Sequence, residues 1–145
     1  MMDEKDNQIL GILKQNAKLT TKQISKKTLL PITTVHNRIK KLEKQGIIKY
    51  YTIVTDNKKL GKPVSAYILI NIDYSEIKKL NLSQIDIADK IKKHPNVDEA
   101  DVITGRKDMI IKVTVKDMLE LNKFISSSLQ IIPGIKQTET SVVFN

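Results

Sequence analysis

Three observations predict an α+β fold in two domains. The first is a pair of helical segments joined by a tight break, between Thr21 and Gly46. The second is a polar linker that ends in Gly61 and Pro63, and the third is a strand–helix–strand unit that occurs twice after it. This order predicts a helical N-terminal domain followed by a C-terminal domain built on a four-stranded sheet.

The first predicted helix begins close to the start of the sequence. Asp3 or Asp6 can cap it, and the polar stretch 16–18 closes it. Its apolar side chains share the spacing of one helix face and are predicted to point inward. They are Ile9, Leu10 and Leu13.

A second helix is predicted from a capping box. Thr20 and Gln23 have its T-x-x-Q spacing, and the helix runs through Lys27. It buries Ile24 beside Ser25, a small residue that lets the next helix cross closely. The second and third helices are therefore predicted to pack closely against each other.

The third helix, Ile32–Lys44, follows a break at 28–31. Pro31 suits its first turn, where the missing N–H costs nothing. Apolar side chains recur at helical spacing and must face a core: Ile32, Val35, Ile39 and Leu42. A rotation of about 100° per residue places a polar set on the opposite side: Thr33, Asn37, Lys40, Lys41 and Lys44.

This polar side has the chemistry that a helix in a DNA major groove needs. Thr33 and Asn37 are predicted to contact base edges, and the lysines to contact phosphates. Arg38 flanks the apolar stripe, which favours a phosphate contact or a structural tie over base contact. His36 flanks the other side and is either a backbone contact or merely solvated. The predicted DNA-binding residues are Thr33, Thr34, His36, Asn37, Arg38, Lys40, Lys41 and Lys44.

The segment after the third helix completes the first domain. Gly46 suits the left-handed residue at a helix end, and Ile48–Val54 is rich in Tyr, Thr and β-branched residues. The latter composition predicts a strand or wing. The N-terminal domain is thus predicted to be a winged or extended helix-turn-helix.

The charge of the chain is divided unequally. Residues 1–61 contain 13 Lys and Arg against 5 Asp and Glu, an excess of +8, whereas residues 62–145 contain 12 against 11, an excess of +1. Lys outnumbers Arg by 23 to 2, so a general lysine bias contributes. Because that bias acts on both halves, it does not explain the difference, and an anionic partner is predicted for the N-terminal half.

The second domain is predicted from a repeat. The polar stretch 57–62 is the predicted linker, between a DNA-binding domain at 1–56 and a second domain at 63–145. Each half of the second domain reads strand, helix, Pro-containing turn, strand, which predicts a ferredoxin-like βαββαβ sandwich. The predicted elements are a strand at 64–72, a helix from Ser83 to Lys93, strands at 97–104 and 109–115, a helix opened by a capping box at Asp117–Glu120, and a strand ending at Phe144.

One face of this sheet is left without helices. It is predicted to expose Tyr67 and Leu69, with Ile103 and Ile110 beside them. A sheet that is apolar on both faces needs a partner, so the sequence predicts at least a homodimer.

Several function classes find no support in the sequence. It contains no metalloprotease, P-loop, dinucleotide-binding or nucleophile-elbow motif, which predicts that the chain is not an enzyme and needs no cofactor. Asp98, Glu99 and Asp101 cluster without the spacing of a cation loop, so no metal site is predicted. The absence of Cys, of a long apolar run and of a signal peptide predicts a cytoplasmic protein without a membrane partner.

Four segments stand in order along the chain, at 6–10, at 34–48, at 102–108, and at 132–135 followed by 138–140. Together they resemble the Lrp/AsnC (feast/famine) family of bacterial and archaeal transcription regulators over essentially the whole chain, and the lysine- and isoleucine-rich composition resembles an archaeal member. The resemblance implies a C-terminal domain of the RAM type that dimerises, dimers that assemble further into octamers, and an amino-acid effector bound between C-terminal domains. The family's glycine and acidic residue match Gly105 and Asp108, and Thr104 would line the same pocket.

Three positions depart from the family's pattern. Pro31 stands where a capping serine is usual, and Leu29 stands where glycine is frequent, so an altered turn is expected. Lys107 replaces the aromatic or apolar residue that usually precedes the acid. The departures therefore lie in the turn of the DNA-binding unit and in the predicted effector loop.

The leading hypothesis is a dimeric, sequence-specific transcription regulator that binds double-stranded DNA at palindromic promoter sites and acts on the transcription machinery as activator or repressor. Two alternatives stay open. One is an architectural protein that coats DNA with little sequence preference, and the other is a regulator whose main role is amino-acid sensing.

Overall fold

A computed structural model describes residues 1–144. The chain divides into two compact units, the first at 1–54 and the second from Thr55 onward. The first unit contains three helices, α1 (Glu4–Gln15), α2 (Thr21–Thr28) and α3 (Ile32–Lys44). The second contains the strands and the remaining helices. The predicted division into a helical and an α+β part is confirmed.

Side chains that the sequence supplies locally set the beginnings of α1 and α2. Asp3 and Asp6 form a capping box at α1, so both predicted caps contribute, and Thr20 and Gln23 form the predicted box at α2. The three helices enclose a small core of buried apolar side chains. It consists of Ile9, Leu13, Ile24 and Val35, with Leu19, Leu30, Ile39 and Ile48 packed against it.

The turn between α2 and α3 has the geometry that glycine usually provides. Leu29 takes it at φ 57°, with its side chain 90% exposed. Two hydroxyls hold the turn: Thr28 Oγ1 donates to the carbonyl of Ile24 at 2.9 Å, and Ser25 Oγ donates to the carbonyl of Leu30. The left-handed conformation costs a leucine roughly 1–2 kcal/mol, which these bonds and the packing of the helices offset.

Pro31 lies one residue earlier than the sequence predicted. It is the N-cap of α3, with ψ 144°, and not a residue of its first turn. Its carbonyl accepts the first helical hydrogen bond, from Val35 at 3.0 Å. The cap has no side-chain hydrogen bond, since proline has no polar side chain to provide one.

Of the two forms predicted for residues 48–54, a strand or a wing, the strand is not formed. Within residues 1–144 this segment pairs with no other strand, and Tyr50, Ile53 and Val54 are 76%, 82% and 100% exposed. Composition alone does not make a strand, because its backbone groups need a neighbour and the other elements of this unit are helices. Gly46 does end α3 as predicted, with φ 70° and with the Ile47 N–H bonded to the carbonyl of Leu42 at 3.0 Å.

Arg38 joins α3 to the beginning of α1. Its Nη1 lies 2.7 Å from a carboxylate oxygen of Asp3 and 2.7 Å from one of Asp6. Asp6 is fully buried. Arg38 is the largest cause of the lowered pKa of Asp6, and the Asp6 N–H, followed by Arg38, lowers that of Asp3. Asp3 thus both caps α1 and binds α3.

The second unit is the predicted ferredoxin-like sandwich. Its four strands form an antiparallel sheet in the order β2-β3-β1-β4, and β1 lies between β3 and β4. Alternate residues of β1 and β3 point toward helices and form the core with them. The elements are β1 (Val64–Ile72), α4 (Tyr74–Lys79), α5 (Gln84–Lys92), β2 (Val97–Val102), β3 (Met109–Val115), α6 (Met118–Phe124), a π-helical segment (Ile125–Leu129) and β4 (Ile135–Val142).

Four details differ from the sequence prediction. Helix α4, capped by Asp73, was not predicted, because six residues with one buried side chain, Ile77, give too little periodicity. The third helix of this unit changes to a π-helix after Phe124. Strands β2 and β4 end two residues early, where pairing stops. The box at Asp117 is half formed, because Glu120 accepts from the Lys116 N–H at 2.7 Å instead.

We expect the Arg38 tie to make the first unit sensitive to acid. Asp3 and Asp6 have pKa values below their ordinary 3.8 in the folded state, so their contribution to stability is present above that value and is lost as the pH falls through the lowered pKa values. An Arg38→Met variant leaves Asp6 buried without its cation, which raises its pKa. The variant should have a lower free energy of unfolding at pH 7. Below about pH 4, its free energy of unfolding should fall less steeply with decreasing pH than that of the wild type, or should rise.

Urea titrations at several pH values, followed through the methyl signals of Ile9 and Ile24, measure this unit by itself. Lys41→Met is the matched control, since Lys41 is an exposed cation on the same helix. Wild-type stability and pH dependence in Arg38→Met would contradict the structural role of the tie.

Candidate nucleic-acid interface

The outward side of α3 contains most of the predicted DNA-binding residues. Burial of Val35 and Leu42, both fully inaccessible, fixes the rotation of the helix. The opposite side forms two adjacent rows at i, i+4 spacing. One row is Thr33, Asn37 and Lys41, and the other is His36, Lys40 and Lys44; all six are exposed, whereas Thr34 and Arg38 are half-buried.

Ile32 does not belong to the buried stripe of α3. It is 47% exposed, and the core of this unit reaches Val35 but not the first turn. Ile32 follows the exposed turn residue Leu29 by three positions, so both side chains lie at the helix entry. The prediction that Ile32 faces the core is wrong, and an apolar side chain stands beside the polar rows instead.

The end of α3 has a local charge pair and an aromatic anchor. Lys40 Nζ lies 3.5 Å from Glu43, but its side chain is 66% exposed, so the pair is weak. Tyr51 donates its hydroxyl to Glu43 at 2.8 Å, and burial, followed by this bond, raises the pKa of Tyr51. Tyr51 thus contacts α3 at Glu43, from a segment that sequence reasoning treated only as a strand or wing.

Helix α2 contributes cations that sequence reasoning did not single out. Lys22, Lys26 and Lys27 are exposed, and the first two stand at i, i+4 on one side. In helix-turn-helix proteins the helix before the recognition helix crosses the phosphate backbone. The spacing of these lysines was visible in the sequence and is the signal that would have found them.

Arg38 is placed differently from the other predicted residues. Its guanidinium is held by Asp3 and Asp6 and its side chain is 22% exposed. The sequence left two roles open for Arg38, a phosphate contact or a structural tie. Asp3 and Asp6 are the partners that a structural tie requires. The neighbouring cations on α3 remain directed to solvent.

The predicted effector residues lie in the loop between β2 and β3. Thr104 and Gly105 are exposed, and Gly105 has φ 125°, a conformation that side chains rarely allow. Asp108 accepts the Ile72 N–H at 2.8 Å with one oxygen and the Tyr74 hydroxyl at 2.7 Å with the other. These bonds, the first being the larger cause, lower the pKa of Asp108. The acid therefore anchors the loop to the end of β1.

Lys107 is tied down beside that acid. Its Nζ lies 2.9 Å from Glu139 and 3.2 Å from the side-chain oxygen of Asn71, and its side chain is 20% exposed. Asn71 in turn donates to the carbonyl of Arg106 at 2.9 Å. The loop is held by β1 and β4 together, and sequence reasoning gave no sign of these partners because they lie more than thirty residues away.

Among residues 1–144, no helix has both the length and the apolar character needed to cross a membrane. In the same range, no three His, Asp or Glu side chains gather in a way that could hold a metal ion.

Family models match both parts of the chain. Residues 2–49 match a winged helix-turn-helix DNA-binding model, and residues 65–145 match the Lrp/AsnC ligand binding domain. Solved structures agree with this division. Escherichia coli AsnC is 27% identical with a TM-score of 0.82, over 100% of this chain and 93% of that one. A regulator from Neisseria meningitidis, solved in complex with L-Met, is 24% identical with a TM-score of 0.89, over 100% and 91%, and shows the same fold.

Relatives from archaea are more similar in sequence. An HTH-type transcriptional regulator of Pyrococcus furiosus is 37% identical over 99% of this chain and 93% of its own length. The HTH-type transcriptional regulator FL11 of Pyrococcus horikoshii is 35% identical over 98% of this chain and 89% of its own. These relatives are named as transcriptional regulators and not as enzymes. The chain therefore belongs to the Lrp/AsnC family of DNA-binding transcription regulators.

Proposed function

We propose that this protein is a sequence-specific regulator that binds palindromic promoter sites as a homodimer or higher oligomer and thereby activates or represses transcription in the cytoplasm. Residues 1–56 bind DNA, 57–62 link the domains, and 63–145 dimerise and bind an effector. No catalytic step is assigned to it. The observation that carries the proposal is the exposed side of α3, where hydroxyls and an amide stand beside lysines, on a helix whose rotation is fixed by buried Val35 and Leu42.

The face of α3 divides the work of recognition by residue type. Thr33 and Asn37 precede the lysines along the helix, which places donors and acceptors for base edges at the N-terminal end. Lys40, Lys41 and Lys44 follow toward the C-terminal end, where phosphates are the matching anions. The additional lysines of α2 also favour strong non-specific attraction to DNA. A sequence-specific regulator is therefore distinguished from an architectural protein only by measuring its preference for a selected site over bulk DNA.

The sheet supports a second copy as partner. Its helix-free face exposes Tyr67 by 39%, with Leu69 and Ile110 half-buried beside it. In the first unit, the exposed apolar segment 50–54 has unpaired backbone among the described residues, which a second copy could also cover. A two-fold partner fits the sheet face, because a two-fold axis brings the same patch of both copies together. Two recognition helices related by this symmetry imply a palindromic operator.

The effector proposal rests on the loop between β2 and β3 and on the ligand binding domain that the family model identifies. Gly105 leaves the loop backbone open, and Asp108 offers a carboxylate whose oxygens are already oriented by Ile72 and Tyr74. An oriented carboxylate suits the ammonium group of an amino acid. The class of effector that we propose is therefore a free amino acid.

Asn37→Ala and Lys40→Ala should affect DNA binding in different ways. Loss of a base contact should cost roughly 1–3 kcal/mol at the selected operator and relax one position, whereas loss of a phosphate contact should weaken all sequences and reduce the salt slope by about one. Sites selected from random DNA, followed by affinity measurements over a range of salt, give both quantities. Lys136→Ala, in β4, is the control. A selected site bound no more tightly than bulk DNA would favour the architectural alternative.

Leu69→Asp should break the proposed dimer. The new carboxylate would lie on the helix-free face opposite Glu139 of β4, and a buried, unpaired charge costs several kcal/mol in an apolar interface. Size-exclusion chromatography with light scattering should show dimers or larger assemblies for the wild type and monomers for the variant. Ser126→Asp, on the exposed side of the π-helical segment, should behave as wild type. A monomeric wild type at micromolar concentration would contradict the proposal.

Asp108→Asn should weaken amino-acid binding by about tenfold or more, because a hydrogen bond to a charged group contributes about 1.5–3 kcal/mol. Calorimetry with each standard amino acid measures this in the wild type and in the variant. Asp89→Asn, an exposed acid on α5, is the control. Silence with every amino acid in the wild type would count against the effector proposal while leaving the DNA-binding proposal untouched.

A further inference from the structure

Two adjoining cavities lie on the helix side of the second unit, where α5 and α6 end. Their volumes are about 170 and 340 Å³, and both are lined by His94, Phe124 and Ser128. Because they share these walls, they form one groove, called here the helix groove. The smaller part alone is comparable to the roughly 150 Å³ cavity that holds benzene in another protein.

The smaller part of the helix groove is mostly apolar, although Lys90 and His94 also belong to its lining. Ile91 and Leu129, which are 2% and 0% exposed, belong to its lining, together with Phe124. Ile131 stands at its edge with 68% of its surface exposed. An apolar ligand chain bound here would displace water from the Ile131 side chain and would pack against the buried side chains of Ile91 and Leu129.

The larger part is polar, and it contains one carboxylate, Glu120, and one exposed ammonium, Lys123. Glu120 is committed within the chain, since its oxygens accept from the Lys116 N–H at 2.7 Å and from the Asn96 side-chain amide at 3.1 Å. Lys123 lines the same part and is exposed, with the hydroxyls of Ser127 and Ser128 beside it. These groups fit an anionic head more than a cationic one.

The wall between α6 and β4 is irregular in a way that shapes the groove. At Ile125–Leu129 the helix is π-helical, with the Gln130 N–H bonded to the carbonyl of Ile125 at 2.9 Å. Such turns are rare and occur frequently at functional sites. Here the extra residue of the turn presents Ser127 and Ser128 together to the groove.

We propose that the helix groove is a binding site for a small amphipathic carboxylic acid. The apolar chain lies on Ile91 and Leu129, and the carboxylate is bound by Lys123 and the Ser127 hydroxyl. The site differs from the loop between β2 and β3 in position and in chemistry, because that loop offers an anion to an ammonium group and the helix groove offers a cation to a carboxylate.

One residue of the polar part of the groove, Asn96, is hydrogen-bonded to the linker. Asn96 is 8% exposed, lines the groove and accepts a hydrogen bond from Lys62 Nζ at 3.2 Å. Lys62 is the last residue of the predicted linker. A head group that contacts Asn96 therefore changes the surroundings of Lys62, and the amide signal of Lys62 reports on the site.

Titration of the full-length protein with isocaproate tests the proposal, followed by methyl and amide NMR. Saturable shifts are expected at Ile91, Leu129 and Asn96. The neutral isocaproamide has the same apolar chain and should bind about three- to fivefold more weakly, the range of an exposed charge pair. Lys123→Gln should bring the two probes to equal affinity. No saturable shift with isocaproate, shifts confined to 104–108, or an acid preference that survives Lys123→Gln would each overturn the proposal.

A blocking variant locates the site by steric means. Ser128→Phe places a ring in the shared wall of both parts and should weaken isocaproate by at least about tenfold. Ser126→Phe adds the same ring to the same segment at a position that does not line the groove, and should bind as wild type. Equal binding by both variants would place the ligand elsewhere. If Ser128→Phe loses native signal dispersion, the Lys123→Gln comparison of acid and amide decides alone.

Discussion

The burial of Val35 and Leu42 fixes the rotation of α3, and the DNA interface depends on that rotation. The two residues are seven positions apart, about two helical turns, and both are fully inaccessible. A rotation by one residue, about 100°, would replace them with polar neighbours and turn Asn37 toward the flank. Because protein interiors tolerate little change in packing, the apolar stripe determines which side chains face outward. In the proposed binding mode, the buried residues of α3 thus determine which side chains are presented to DNA.

Features encoded within a few residues could be predicted from the sequence. The caps at Asp3, Thr20 and Ser83 are such features, since donor and acceptor lie within one helical turn. The alternation of β1 likewise identified its two faces, because side-chain direction in a strand repeats every second residue. Within the candidate site, helical periodicity likewise predicted that Asn37 is exposed on α3. It did not predict the backbone geometry of the turn before α3.

Features that depend on distant partners could not be predicted. The bonds of Asp108 to Ile72 and Tyr74 join residues more than thirty positions apart. The segment 50–54 has strand composition but no neighbour within residues 1–144, so its conformation depends on what covers it. In each case the deciding contact lies outside the window that a sequence pattern covers.

The chemistry of the cations divides structural from binding roles. Arg38, one of only two arginines in the chain, meets two carboxylates at once, a task that suits the planar guanidinium with its several donors. The cations left on the outward side of α3 are lysines, which act on phosphates as flexible point charges. Point charges contribute affinity that depends on salt and little on sequence. In the proposed binding mode, discrimination between sites therefore comes from Thr33 and Asn37, whose small side chains are directed outward because the buried stripe holds the helix in one orientation.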